Sequence, residues 1–468
     1  MNQGNGSSDL KLKRVLTLSD LVIYGIILIQ PCAAMPLFGY ANKESGGHAV
    51  VSVLLAMSAM LMTAISYGRM ANRYPAAGSA YTYVGRGLDP RLGFLTGFAV
   101  YLDYLIIPII CTIYCGSAAN ELMKFIPVEA WFALFAWLFT WMNLRGIKAT
   151  SRFSWALMIV MSLVVFWYMG AAIQHLLELK GASGLFTTEP FYHSDTFSWK
   201  IIGQGTALAA LTYIGFDGLT TLSEEVENPR RNVLLATVMT CLITGIWSGA
   251  QIYLAQAAVP WSDWDSFLGS IMTASGLGDI REALNRAMIG IAGLVGGLSL
   301  KFALNVVLLV ASVGSGVTGL AGCVRVMYGM GRDELLPKKF FAHLSPKHSV
   351  PSYNILLIGG ITLVAAFLMD YGQCAHLINF GALLAFSLVN VASIREYYFR
   401  GAPRTAGSFF KNFLPPAVGV VACLAIWLSL PKLTFIIGGT WLSLGFIYLA
   451  IRTRGFRQKV VMEDVFGG

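Results

Sequence analysis

Charged residues are scarce in this sequence: they make up 12% of its 468 residues, about half the share usual for soluble domains. We find no zinc-ligand spacing, no glycine-rich phosphate loop and no dinucleotide fingerprint. The seven cysteines are an odd number scattered mainly through apolar segments, which gives no reason to expect a disulfide framework. Neither the histidines nor the cysteines supply a convergent catalytic set, so we expect no enzyme, no metal and no cofactor.

The sequence is instead rich in long apolar segments. Hydrophobic residues make up 56% of the chain, and apolar runs of about 18 residues or more recur from Leu18 to Ile451. The sequence therefore predicts an all-α integral membrane protein with about twelve transmembrane helices. Their approximate limits are 19–40, 48–70, 92–117, 128–144, 153–176, 201–222, 233–258, 290–323, 352–370, 375–394, 413–430 and 433–451.

The positive charges predict the orientation in the bilayer. A net charge of +9 could suit nucleic acid, but the Lys and Arg residues concentrate in short loops between spans. If the N-terminus is cytoplasmic, 25 of the 33 Lys and Arg residues lie on the inner side, seven lie on the outer side, and Lys301 lies within a span. Inner loops of membrane proteins are enriched in positive charge, so we expect both termini in the cytoplasm and no nucleic-acid partner.

We expect one transmembrane domain, residues 18–452, between cytoplasmic tails formed by residues 1–17 and 453–468. The longest outward connection, 260–286, begins Pro260-Trp261-Ser262-Asp263-Trp264. Trp beside Asp at the end of a span is typical of an interfacial anchor, and a lid over the pathway is the alternative. The basic inner stretch 331–351 predicts a short helix.

Two of the apolar segments are interrupted in the middle. Residues 19–40 are interrupted by Gln30-Pro31-Cys32-Ala33-Ala34-Met35-Pro36, and residues 201–222 by Tyr213-Ile214-Gly215-Phe216-Asp217-Gly218. Unpaired backbone at membrane depth is tolerated only against protein or around a polar cavity. Paired interruptions in two halves point to a transporter's binding site, although two ordinary helices kinked by Pro or Gly are the simpler alternative.

The interruptions also predict an inverted repeat. The broken segments are the first and sixth spans, an offset of five, so they cross the membrane in opposite directions. The two repeats would cover residues 18–176 and 201–395, and helices 11 and 12 at 413–451 would be additions. Free N–H groups at one half-helix attract a carboxylate, and free carbonyls at the other suit a cation. A zwitterion such as an α-amino acid could bind to backbone alone, whereas a polyamine would need side-chain carboxylates.

Candidate site residues follow from these segments. For substrate binding we select Gln30, Pro31, Cys32, Ala33, Ala34, Met35, Asp103, Tyr213, Gly215, Phe216 and Asp217. Asp103, deep in the third span, would bind a cationic group or carry a proton, or else hydrogen-bond its neighbours. Asp217 would act in function or cap the free N–H groups of the second half-helix. Phe216 follows the interruption, and core packing is its simplest interpretation.

Further residues are candidates for gating, coupling or ion binding. Lys301 would snorkel to the interface or pair with an acid such as Asp103 or Asp217. Glu224 and Glu225 would belong to an inner salt-bridge network or gate. Ser312 and Ser315 could supply hydroxyl groups to an ion site, or permit close helix packing.

Four motifs carry a family resemblance. The first is Tyr213–Gly218 followed by Ser223-Glu224-Glu225-Val226-Glu227-Asn228-Pro229-Arg230-Arg231-Asn232, and the second is Ser66-Tyr67-Gly68-Arg69-Met70 followed by Tyr74–Tyr83. The other two are Arg325–Asp333 and Leu377–Leu383. They occur in the expected order over essentially the whole chain, which resembles the amino acid–polyamine–organocation permeases, nearest to their bacterial putrescine-importer-like branch. The resemblance implies a LeuT-type fold of two five-helix repeats with helices 1 and 6 broken, alternating access, proton-driven uptake, and Phe216 as a gate over the substrate.

The chain departs from that pattern at the first interruption. Aligning on Phe38-Gly39 places Pro36 where the putrescine branch carries an aspartate, and the fifth span lacks the lysine that some members use as a fixed cation. We therefore predict a plasma-membrane permease that imports an amino acid or related amine with protons. A putrescine importer and an exchanger remain alternatives within transport. A channel would not need paired broken helices, and a sensor would normally carry a large cytoplasmic tail.

Overall fold

A computed structural model gives the fold and describes residues 16–74, 79–146, 151–223, 226–332, 336–345, 348–400, 405–455 and 457. Over these ranges the chain is helical and forms no β-sheet, apart from one bridge between Leu16 and Val226. The α-helices are, in order, α1 Leu18–Ile29, α2 Phe38–Glu44, α3 Ala49–Arg73, α4 Ser79–Gly87, α5 Pro90–Leu122, α6 Val128–Leu144, α7 Ser151–Lys180, α8 Trp199–Ala209, α9 Pro229–Ala258, α10 Trp264–Ser275, α11 Ile280–Arg332, α12 Lys338–Phe341, α13 Ser352–Leu368, α14 Tyr371–Ile394, α15 Ala406–Ser408, α16 Leu414–Leu428 and α17 Lys432–Arg452.

Eight of the described helices are long and apolar enough to cross a membrane, and three shorter helices are apolar as well: α1, α6 and α13. This confirms the prediction of an all-helical, multi-pass membrane protein. The short helix predicted in the inner stretch 331–351 is α12. Helix α14 begins four residues earlier than predicted, because Asp370 and Gln373 form a capping box at its N-terminus.

Both predicted interruptions are present in the structure. Helix α1 ends at Ile29, Gln30 adopts a φ of 73°, and turns over 31–37 lead into α2. Proline has no N–H to donate, so Pro31 and Pro36 cannot continue the helical ladder. Helix α8 passes into the 3₁₀ segment Ala210–Tyr213, and Gly215, at a φ of 124°, separates it from the 3₁₀ segment Phe216–Leu222. Only glycine adopts such a φ readily.

Helix α5 is central to the bundle, because it packs against α11, α14 and α6. It begins with Asp89 as its N-cap and Pro90 in its first turn. Asp103, Cys111 and Tyr114 are all buried along it. The third predicted span therefore supplies one wall of the interior, where the candidate site lies.

The connection 260–286 is mostly helical and packs onto the bundle. Trp264 is 1% exposed, and its ring meets Phe38 of α2 edge-on at 5.7 Å between centroids. The prediction of an interfacial anchor is therefore wrong for Trp264, since its indole is buried against protein. Helix α10 packs on α11, whose backbone is non-helical at Gly297, at φ 70° and ψ −168°.

The approach of α2 to α11 gives a testable prediction for stability. A Cβ added at Gly39 would overlap the backbone carbonyl of Leu284, which cannot move aside as a flexible side chain would. We expect Gly39→Ala to destabilise the fold by roughly 1–3 kcal/mol, as overpacking generally does. Gly360→Ala on α13 is the matched control, because a Cβ there meets nothing within 4 Å. Thermal unfolding in detergent measures both, and equal melting temperatures would contradict this packing.

Candidate functional site

A cavity of about 140 Å³ lies at the first interruption. Its walls come from the interruption itself, from α5, from α11, from the 3₁₀ segment after α8 and from the start of α14. The lining residues used below are Gln30, Cys32, Ala33, Cys111, Tyr114, Leu211, Ser312, Ser315 and Tyr371. Of the described residues that line it, none is charged. We call this the central cavity.

The first interruption is held from outside the cavity by α9. Trp247 Nε1 and Gln251 Nε2 donate hydrogen bonds of 2.9 and 3.0 Å to the Pro31 carbonyl. Among the described residues, none accepts a backbone hydrogen bond from the N–H of Ala34, whereas the N–H of Cys32 is directed at its own thiol. Helix α9 thus fixes one face of the interruption, whose backbone is not paired as in a continuous helix.

Gln30 ties the interruption to α11 across the central cavity. Its Nε2 donates to Ser315 Oγ at 3.0 Å and to the Ala311 carbonyl at 3.4 Å. This contact explains how a non-glycine residue is kept at positive φ, a conformation that normally costs energy. Ser312 lines the same wall, so the structure brings both predicted serines to the first interruption. The remaining candidates there, Ala34 and Met35, are buried.

Asp103 is buried away from the central cavity. The residue is 6% exposed, and no described residue hydrogen-bonds its Oδ1, which lies against Gly381 of α14. Asp103 precedes Cys111 by eight residues, which is about 12 Å along a helix. A small ligand in the central cavity therefore does not reach this carboxyl group in the described conformation.

Asp217 lies at the second interruption and faces its backbone. The N–H groups of Gly215, Asp217 and Gly218 are directed at the carboxylate. This arrangement agrees with the capping role considered for Asp217, since an acid at the N-terminal end of a half-helix satisfies free donors. Tyr213 points elsewhere, because its hydroxyl donates to the Val53 carbonyl of α3 at 2.8 Å.

Phe216 belongs to a buried group of aromatic rings. It is 0% exposed, with its centroid 5.5 Å from that of Tyr67 and 5.3 Å from that of Phe386. Tyr83 meets Tyr67 at 5.9 Å and completes what we call the aromatic cluster. Phe216 does not line the central cavity; it packs α3, α14 and the second interruption together.

Lys301 pairs with an acid, which was one of its two predicted alternatives, but the acid is Glu121 rather than Asp103 or Asp217. Its Nζ lies 2.6 Å from Oε1 of Glu121, and Oε2 of the same carboxylate accepts a hydrogen bond of 2.8 Å from Arg286. Glu121 follows Asp103 by 18 residues on α5, about 27 Å along the helix axis. Lys301 therefore lies beside the C-terminal end of α5, whereas Asp103 lies near the middle of that helix. Glu224 and Glu225, the predicted inner gate, lie outside the described residues.

A second cavity, of about 300 Å³, lies beside α2 and the start of α14. Its lining includes Glu44 and His376, with 3.1 Å between Oε1 and Nε2. Tyr371 lines the central cavity and Tyr40 lines this one, and their ring centroids are 5.8 Å apart. Two tyrosine rings thus stand between the two cavities.

Sequence reasoning missed several residues that shape the site. Tyr114 and Tyr371 form part of the cavity wall, and Trp247 and Gln251 hold Pro31. The spacing of Trp247 and Gln251 could have predicted a shared role, because two polar groups four residues apart lie on one face of an apolar helix.

Eight long apolar helices, two interrupted segments and an uncharged cavity at the first interruption define a multi-pass membrane protein of the transporter class. The profile of the amino acid permease family matches residues 38–455, and the chain belongs to this family. The resemblance noted in the motifs is thereby confirmed.

Three relatives illustrate the range of substrates among similar proteins. The chain is 32% identical to the low-affinity putrescine importer PlaP of Escherichia coli K12, over 98% of both chains. It is 24% identical to the methylthioribose transporter of Bacillus subtilis and 24% identical to the branched-chain amino acid permease BcaP of the same organism. Each of these two alignments covers 96% of this chain and 95% of the relative.

Proposed function

We propose that this protein is a secondary transporter that imports an amino acid, or a related small amine, across the plasma membrane by alternating access. The central cavity carries the proposal. It combines backbone of the first interruption with neutral polar side chains, and none of its described lining residues is charged. Such a site complements a zwitterion, whose carboxylate binds N–H groups and whose ammonium group binds carbonyl and hydroxyl oxygens.

A putrescine importer is the second candidate, and the 32% identity to PlaP over 98% of the chain favours it. Each unpaired charge of a dication near the bilayer centre costs on the order of 3 kcal/mol, so a diamine needs compensating carboxylates. Asp103 and Asp217 are the acids predicted for that role, but backbone N–H groups already face Asp217. Pro36 stands where the putrescine branch carries its acid. These considerations place the amino acid first.

The proposal includes proton coupling through Asp103. A buried carboxyl group with an unpartnered oxygen is costly as an anion, and a proton removes that cost.

The proposal also includes the predicted topology of twelve spans, with an inverted repeat over 18–176 and 201–395 and with helices 11 and 12 over 413–451. Within the 18–452 domain, Phe216 would act as a gate through the aromatic cluster, and Glu224 and Glu225 as an inner gate. Ser312 and Ser315 would offer hydroxyl groups to substrate or ion.

Accumulation in proteoliposomes tests the transport class. Purified protein is reconstituted, loaded with buffer and supplied with radiolabelled amino acids, with and without an imposed pH gradient. A proton-coupled importer concentrates its substrate above the external level only when the gradient is present. Equilibration that never exceeds the external concentration, whatever the gradient, would indicate a channel and contradict the proposal.

The proposed topology can be tested by labelling single cysteines. The seven native cysteines are buried, so they react poorly with a membrane-impermeant maleimide. Ser266 and Thr405 are both exposed, in the connection 260–286 and before α15 respectively. We expect Ser266→Cys to react in intact cells and Thr405→Cys to react only after the membrane is opened. The reverse pattern would show that the predicted orientation is inverted.

A further inference from the structure

A groove of about 340 Å³ lies between α10 and the first half of α11, close to the end of α5. Its polar end contains Glu121, Arg286 and Lys301, and its apolar wall includes Ile271, Leu294 and Leu298. None of these residues takes part in the central cavity. The groove therefore requires an explanation of its own.

The polar end has more positive than negative charge. Glu121 is shared by Lys301 at 2.6 Å and Arg286 at 2.8 Å, and Arg286 also lies 3.6 Å from Glu282. Lys124 adds a third cation, because its Nζ donates to the carbonyl of Ala274 in the groove wall at 2.9 Å. Three cations thus face two carboxylates, and the surplus favours an anion.

Arg286 has a side-chain N–H donor that no described residue satisfies. Its side chain is 2% exposed, and its buried Nε has no hydrogen-bond partner among the described residues. Lys301 lines the groove and is 32% exposed at its side chain, so a ligand in the groove can contact it. An unsatisfied buried donor costs free energy, and an anionic oxygen in the groove would remove that cost.

The apolar end continues onto the exposed face of the membrane-spanning helix. Leu298 is 84% exposed and Leu294 49%, and Phe302 extends this face at 61%. Helix α11 is long and apolar enough to cross a membrane, so its exposed apolar face contacts lipid. The groove thus joins a cationic end to a surface that borders acyl chains.

We propose that this groove binds an anionic glycerophospholipid, with its phosphate on Lys301 and Arg286 and one acyl chain along Leu294 and Leu298. Free inorganic phosphate would satisfy the cations but leave the apolar wall without a partner. A zwitterionic phospholipid would fill the apolar wall but bring its own cation to a positively charged site. The combination of both ends selects a lipid that carries a net negative charge.

Native mass spectrometry of the detergent-purified, full-length protein tests this proposal, with phosphatidylglycerol and phosphatidylcholine of the same chains as probes. We expect phosphatidylglycerol to be retained preferentially, and Lys301→Gln to weaken its retention about fivefold, the effect of one cation near a membrane surface. Lys432→Gln, at the exposed N-terminal residue of α17, is the matched control and should retain lipid like the wild type.

A second variant separates lipid binding from folding. Leu298→Ser alters a residue that is 84% exposed, so the fold should tolerate it, and we expect retention to fall about threefold as apolar contact is lost. Equal retention of the two lipids, an unchanged Lys301→Gln variant, or an equal loss in Lys432→Gln would overturn the proposal. Displacement of phosphatidylglycerol by millimolar inorganic phosphate would also overturn it, because the site would then recognise phosphate alone.

Discussion

Uptake by the Asp103→Asn variant is expected to lose its response to a pH gradient. In the wild type, a gradient of one pH unit supplies about 1.4 kcal/mol per proton, which is about tenfold in substrate accumulation. Asparagine keeps the shape of the buried side chain but cannot gain or lose that proton. We therefore expect accumulation in proteoliposomes to fall about tenfold per unit of gradient, to the level seen without a gradient.

Exchange of labelled for unlabelled substrate is the internal control for Asp103→Asn. Exchange needs no net proton movement, so it should survive if the central cavity binds the substrate without Asp103. Asp265→Asn is the matched variant, because Asp265 is an exposed acid in the first turn of α10. If Asp103→Asn still accumulated substrate in proportion to the gradient, another residue would have to carry the proton.

Phe216→Ala is expected to produce the largest loss of stability among the site variants. The ring is 0% exposed and contacts Tyr67 and Phe386, so its removal leaves a cavity where three elements meet. Truncation of a buried phenylalanine costs about 3–5 kcal/mol. Thermal unfolding in detergent should show a correspondingly lower melting temperature, with uptake reduced at equal expression.

Two milder variants distinguish gating from packing at this cluster. Phe216→Leu and Phe386→Leu each keep most of the buried volume, and both remove one ring from the aromatic cluster. If Phe216 is a gate, Phe216→Leu should lose more uptake than Phe386→Leu when the two have similar melting temperatures. Equal uptake at equal stability would mean that Phe216 contributes packing only.

The interruptions could be predicted because their causes are local. Pro31 and Pro36 remove backbone donors, and Gly215 permits a positive φ, so the sequence contains the reason for each break. Apolar length also gave most helix limits to within a few residues, but α11 extends from Ile280 to Arg332, well beyond the predicted span 290–323. The sequence could not predict which residues of the interruption face the cavity. Their orientation depends on contacts with distant helices, such as the hydrogen bond from Gln30 to Ser315.

The predictions that differ from the structure concern how deep a side chain lies along its helix and which way it faces around the helix axis. Asp103 and Glu121 are both acids of α5, and pattern alone could not tell which of them Lys301 would meet. Trp264 is buried because α10 packs over α2, an arrangement that a tryptophan beside an aspartate does not reveal. Long-range packing decides such contacts, whereas composition and spacing decide where helices begin and end.

The central claim, an amino acid in an uncharged cavity, is tested most directly by competition for uptake. The measurement supplies parallel samples of proteoliposomes with a labelled amino acid or with labelled putrescine. To each it adds excess unlabelled putrescine, spermidine or amino acids of neutral, acidic and basic character. The proposal predicts that at least one class of amino acid blocks uptake while the polyamines do not. Accumulation of labelled putrescine that excess polyamine blocks and no amino acid affects would contradict it.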